Sequence, residues 1–159
     1  MKPGSLICDR LDLNTRENID GLHRLLRKIA SDKRNYRTLT VEGNYYFNLP
    51  EQVAPESPGW YVIFDSDSAK PLYVGEANNL NRRLNSRQGG LDNFANSQRK
   101  ADAERNFIKR FYTIGLLKNL KVLLISEGEV CQAFKLPFPL STVDHINIEK
   151  FISLFRWQL

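Results

Sequence analysis

Gly59-Trp60-Tyr61-Val62-Ile63-Phe64-Asp65-Ser66-Asp67-Ser68-Ala69-Lys70-Pro71-Leu72-Tyr73-Val74-Gly75 is the stretch whose reading decides the fold. Two apolar runs, Trp60–Phe64 and Leu72–Val74, flank a polar segment ending in Pro71. That pattern predicts a β-hairpin with a loop longer than two residues. Side chains alternate faces along a strand. Trp60, Val62 and Phe64 are therefore expected to share a core face with Leu72 and Val74. Tyr61, Ile63, Tyr73 and Gly75 fall on the other. Two phenols then sit on neighbouring strands beside a glycine whose missing side chain would admit a ligand backbone. Immediately downstream, Ala77–Leu84 reads as a helix carrying Arg82 and Arg83.

The rest of the chain extends this pattern in both directions. Asn14 to Ser31 has helical periodicity, with Ile19, Leu22, Leu25, Leu26 and Ile29 in one stripe and Asn14 as the expected cap. Tyr36–Glu42 alternates like a strand, and Gly43-Asn44 would turn it into Tyr45–Leu49 as a small hairpin of its own. Pro50, Pro55 and Pro58 mark a linker into Gly59. Beyond Arg83, Gly89-Gly90 signals a loop, and a helix is expected over 97–114 with Gly115 as its stop. Lys121–Ile125 is an apolar run of the kind found in central strands. Glu127–Leu140, with Pro137 and Pro139, reads as a loop. A last helix starts near Ser141 or Thr142, with Ile148, Phe151, Ile152, Phe155 and Leu159 on one face. Glu149 lies at the border of that face. Asp144 reads as a capping residue at the helix start.

Composition narrows the function. At 159 residues the chain fits one core with an appended piece, and its 42% hydrophobic content is enough to build that core. No apolar run approaches the ~18 residues of a membrane span, and the first ten residues do not read as a signal peptide. A soluble, cytoplasmic protein is expected. Cys8, His23, Cys131 and His145 match no compact zinc-ligand spacing, so two reduced cysteines are expected. The net charge of +5 is concentrated: residues 76–121 hold ten cations against four anions, a net of +6. Arg82, Arg87, Arg99, Lys100 and Arg110 from this stretch are the candidate polyanion-binding residues. A solvated helix face is the alternative reading of the same charges.

The hairpin resembles the GIY-YIG nuclease family. Gly59-Trp60-Tyr61 stands where that family has Gly-Ile-Tyr, and Tyr73-Val74-Gly75 where it has Tyr-Ile-Gly. Arg83 stands in the position of the family's helix arginine. The resemblance covers residues 59–159, leaving 1–58 as an N-terminal extension packing on the core. It implies a mixed α/β (α+β) fold, a three-stranded antiparallel sheet flanked by helices. It also implies a metal-dependent endonuclease acting on DNA. Its catalytic set would be Tyr61, Tyr73, Gly75, Arg83 and Glu149, with Glu149 holding one Mg²⁺ or Mn²⁺. Tyr61 would take a proton from the attacking water, Tyr73 would orient water or phosphate, and Arg83 would meet the phosphate's non-bridging oxygens. Two departures stand out: Arg87 occupies the position of a frequent family histidine, and no asparagine follows the last helix. A nucleic-acid-binding module that has lost catalysis is the alternative. The sequence leaves open whether the protein acts as a monomer or a homodimer. Without the resemblance, the two tyrosines, Arg83 and Glu149 would read as packing and solvated surface.

Overall fold

The computed structural model describes residues 11–42, 46–48, 54–65, 71–84 and 120–157. In chain order these form α1 (Arg16–Ser31), a 3₁₀ turn (Lys33–Asn35), β1 (Tyr36–Glu42), β2 (Tyr46–Asn48), β3 (Gly59–Asp65) and β4 (Pro71–Ala77). There follow α2 (Leu80–Leu84), β5 (Leu120–Ser126), α3 (Glu127–Phe134) and α4 (Thr142–Leu154). The fold is mixed α and β, with an antiparallel sheet and helices. The expected helix over 97–114 and the Gly89-Gly90 loop lie outside the described residues.

β3 and β4 pair antiparallel as the hairpin pattern predicts, with Tyr61 opposite Gly75 and Val62 opposite Val74. β5 pairs antiparallel along the other side of β3 and is itself flanked by β1. Its unbroken apolar run fits this central place. The sheet therefore has the four-strand order β1-β5-β3-β4, where the family resemblance implies three, and short β2 continues it outside β1. Tyr36–Glu42 pairs with Tyr46–Asn48 as the expected hairpin, Val41 opposite Phe47, but β1 also joins this hairpin to the main sheet. It satisfies the backbone groups along the far side of β5, setting Tyr36 opposite Leu123 and Thr38 opposite Lys121.

Both faces of the central strands β3 and β5 are buried, where the sequence suggests room for a ligand beside Gly75. Trp60, Val62, Phe64, Leu123 and Ile125 pack with Leu22, Leu26 and Ile29 of α1, Val130 of α3 and Ile148 and Ile152 of α4. On the opposite face Tyr61, Ile63, Val122 and Leu124 pack with Leu80 and Leu84 of α2. A strand covered on both sides needs apolar residues at every position, and Trp60–Phe64 supplies them. Leu72 also departs from expectation. The register shifts between Ile63 and Phe64, so that Tyr73 faces Ile63 while Pro71 faces Phe64. Leu72 is the extra residue of this irregularity and packs on the Tyr61 side.

Local capping sets the helix ends. Thr15, not Asn14, caps α1, its side chain accepting from the Asn18 N–H. β4 runs through Ala77, so α2 begins only at Leu80. The Asn79 side chain accepts from the Arg82 N–H there, and the Leu80 and Asn81 amides bond to Ser57 and Pro55. Glu127–Leu140 is not all loop: α3 occupies its first eight residues. Val130, Cys131 and Phe134 form a short apolar stripe, and Lys135 ends the helix in the left-handed conformation, its amide bonding back to Gln132. The two prolines lie beyond that stop. Ser141 caps α4 by accepting from the Asp144 N–H, so the Asp144 carboxylate is not the cap. It is buried and accepts from the Leu11 N–H.

The course of α4 matters most for the site. At its start the His145 ring stacks on Trp60; past its end Trp157 packs edge-on against Phe64. The helix therefore runs with β3 and against β4, which it also contacts.

Candidate functional site

Tyr61 is the innermost of the expected site residues. Opposite it, Gly75 leaves room for the phenol: a Cβ there would stand 2.4 Å from both Cζ and Oη of Tyr61. The space that the sequence offers to a ligand is thus filled by the protein's own ring. Tyr61 Oη accepts a hydrogen bond from Arg83 Nε at 3.2 Å. The Tyr73 ring lies 6.1 Å from that of Tyr61, tilted by 31°. Tyr61 is fully buried, whereas Tyr73 and Arg83 are half-buried. The structure therefore brings Tyr61, Tyr73, Gly75 and Arg83 together on one face.

Arg82 and Arg83 also line a cavity of about 550 Å³ at the end of the sheet where β3 begins and β4 finishes. Glu76, Glu127 and His145 line the same cavity. His145 Nδ1 is 2.6 Å from Glu76 Oε2, and Nε2 is 3.1 Å from Glu127 Oε1. The ring stacks on Trp60 with centroids 4.4 Å apart, and Trp60 Nε1 donates to the His145 carbonyl at 3.1 Å. Glu127 is only 2% exposed, and its Oε2 has no hydrogen-bond partner among the described residues. Burial pushes the Glu127 carboxyl above the usual range, opposed by the His145 charge and the Leu140 backbone amide. With a carboxylate at each nitrogen, the imidazole donates from both sides when doubly protonated.

The chain matches no family model, no curated protein and no solved structure.

The carboxylate that the resemblance assigns to a metal is Glu149. It sits on α4, which packs on the Trp60 face, and is half-buried. It follows His145 by one turn on the same helix face. Arg82 is exposed beside the cavity. Arg87, Arg99, Lys100 and Arg110 lie outside the described residues. Lys121, one of the counted cations, has its ammonium 5.1 Å from the Tyr36 ring centre.

Among the described residues no group of three His, Cys, Asp or Glu side chains converges as a metal site. Glu76 and Glu127 sit at opposite ends of one imidazole and cannot share an ion. The resemblance gives the metal to a single carboxylate, the half-buried Glu149. Mg²⁺ keeps several waters and is often held by one carboxylate plus a substrate phosphate.

The Glu76–His145–Glu127 group is not expected from the sequence, where His145 figures only among the unmatched zinc-ligand spacings. One signal was present. Glu76 follows Gly75 and so alternates onto the Trp60 face, an unusual place for a charge unless something pairs with it.

Proposed function

We propose that this chain is a metal-dependent endonuclease that hydrolyses DNA phosphodiester bonds on a GIY-YIG-like core formed by β3, β4, β5 and their helices. The observation that carries the reading is the hydrogen bond from Arg83 Nε to Tyr61 Oη. A guanidinium held at Nε has its plane fixed, and a fixed plane can meet two non-bridging phosphate oxygens together. Arg83 does this at the cavity mouth, where negative charge grows in the transition state. Full burial keeps the Tyr61 phenol from solvent water, so its role is to position Arg83. Half-buried Tyr73 hydrogen-bonds the phosphate or the attacking water. Glu149 would hold Mg²⁺ or Mn²⁺; when bound, the ion neutralises phosphate charge and acidifies a water. The basic stretch 76–121 tracks the DNA backbone, and the protein acts in the cytoplasm.

The burial of Tyr61 favours one second reading, a nucleic-acid-binding module without catalysis. Supercoiled plasmid separates the two. Nicked circles that need Mg²⁺ or Mn²⁺ and vanish with Arg83→Ala support the nuclease. Salt-sensitive DNA binding without nicking at any metal concentration selects the binding module, and the absence of both rejects the two together.

A further inference from the structure

The cavity beside Arg83 has two chemically different walls. One carries the guanidinium groups of Arg82 and Arg83, the other the Glu76–His145–Glu127 group. We propose that His145 is the general acid of this cavity, giving its Nδ1 proton to the oxygen that leaves phosphorus. This rests on the phosphodiesterase reading above and assigns that reading a catalytic residue.

The geometry argues for it at three points. Glu127, 3% exposed at its side chain, lies 3.1 Å from Nε2 and so fixes which proton stays behind. A buried carboxylate behind an imidazole holds its orientation and stabilises its charged form. Trp60 grips the ring from its face and holds the same residue's carbonyl, so the imidazole cannot rotate away. The Nδ1 side is the accessible one: its partner Glu76 is 31% exposed and borders the cavity. When a phosphodiester enters with its phosphate on the arginine wall, the leaving oxygen can replace Glu76 at Nδ1.

The step balances. Water oxygen bonds to phosphorus, giving up one of its protons to solvent, as the bond from phosphorus to the leaving oxygen breaks. The Nδ1 proton moves to that oxygen to give an alcohol. The neutral imidazole then recovers a proton from solvent. Among the described residues the charged groups around His145 are Glu76 from β4, Glu127 from α3, Asp144 and Glu149 on its own helix, and Arg82 and Arg83 from α2 across the cavity. Trp60 is its neighbour from β3 and does not titrate.

The test compares two substrates, plasmid DNA and the 4-nitrophenyl ester of thymidine 5′-monophosphate. Nitrophenolate leaves without a proton, so it does not need the acid. His145→Asn should slow plasmid nicking by ~100-fold or more, within the range of general acid catalysis, and nitrophenolate release by less than ~10-fold. Equal losses on both substrates would overturn the proposal and leave the nuclease reading standing. A wild-type protein that cleaves neither substrate would end both. If the Asn variant does not fold, Glu127→Gln decides the matter. Removing the buried carboxylate that orients the ring should slow plasmid nicking more than nitrophenolate release, and equal losses on the two substrates would overturn the proposal.

Discussion

Gly75→Ala tests the packing on which the candidate site is built. The new methyl would lie 2.4 Å from Cζ and Oη of Tyr61 and 2.8 Å from Cε1. Carbon atoms in ordinary contact sit about 3.5–4.0 Å apart, so more than about 1 Å must be found. The phenol has nowhere to retreat, since Tyr61, Ile63, Leu80 and Leu84 are all fully buried. Overpacking of this kind costs about 1–3 kcal/mol, which for a chain of this size lowers the melting temperature by roughly 2–12 °C. Thermal unfolding followed by circular dichroism reads the loss directly. Pairing the change with Tyr61→Leu closes the argument, because the alanine should cost less once the ring is gone. Nicking should fall as well, since the displaced phenol carries the Arg83 bond. A Gly75→Ala protein melting within about 1 °C of wild type would show that the ring does not lie over Gly75.

Arg83→Ala should abolish nicking with little change in melting temperature, while Arg82→Ala, which loses an exposed side chain, should weaken DNA binding alone. Glu149→Gln should leave a folded protein that binds DNA and does not nick it at any Mg²⁺ concentration; normal nicking would remove Glu149 as the metal carboxylate. Glu127 supplies a pH test of stability. Burial raises its carboxyl in the fold above the ordinary glutamate value, so the folded state binds the extra proton. Its contribution is therefore greatest below that value and is lost as pH rises through the folded value. Melting temperatures of wild type and Glu127→Gln should draw apart over that window, the wild type losing ground as pH increases. Parallel curves would show that the buried carboxyl does not titrate there.

What the sequence made legible is what local periodicity encodes. The Trp60–Val74 hairpin, the central place of Lys121–Ile125 and the Leu22–Leu26–Ile29 stripe each follow from alternation or helical spacing within a few residues. The pairing of Tyr36 with Leu123 could not be read this way, because a strand's pattern names its faces and not its neighbours. Burial of the Tyr61 face was hidden for a similar reason: tyrosine and isoleucine suit an open pocket and a packed layer equally. The α3 helix was masked by Pro137 and Pro139, which break the chain only after Lys135 has already ended the helix. For the candidate site, Tyr61 and Arg83 were joined only by the family resemblance; alternation and helical spacing alone read them as packing and surface. Glu76, Glu127 and His145 come from three distant segments, and only the course of α4 along β3 gathers them.

The antiparallel pairing of β1 with β5 has a practical consequence for anyone dissecting this chain. A fragment cut before Gly59 would retain the hairpin and its arginine but would strip β1 from β5. It would bare the amides and carbonyls of Leu120–Leu123 at the start of a mostly apolar strand, Leu120–Ser126. Exposed strands of that composition recruit copies of themselves. The shortened protein should therefore self-associate or precipitate in proportion to its concentration, and its loss of activity would report aggregation rather than a catalytic contribution from residues 1–58. Tyr36–Glu42 acts in this sense as a built-in guard against polymerisation, and any minimal fragment for enzymology should begin before it.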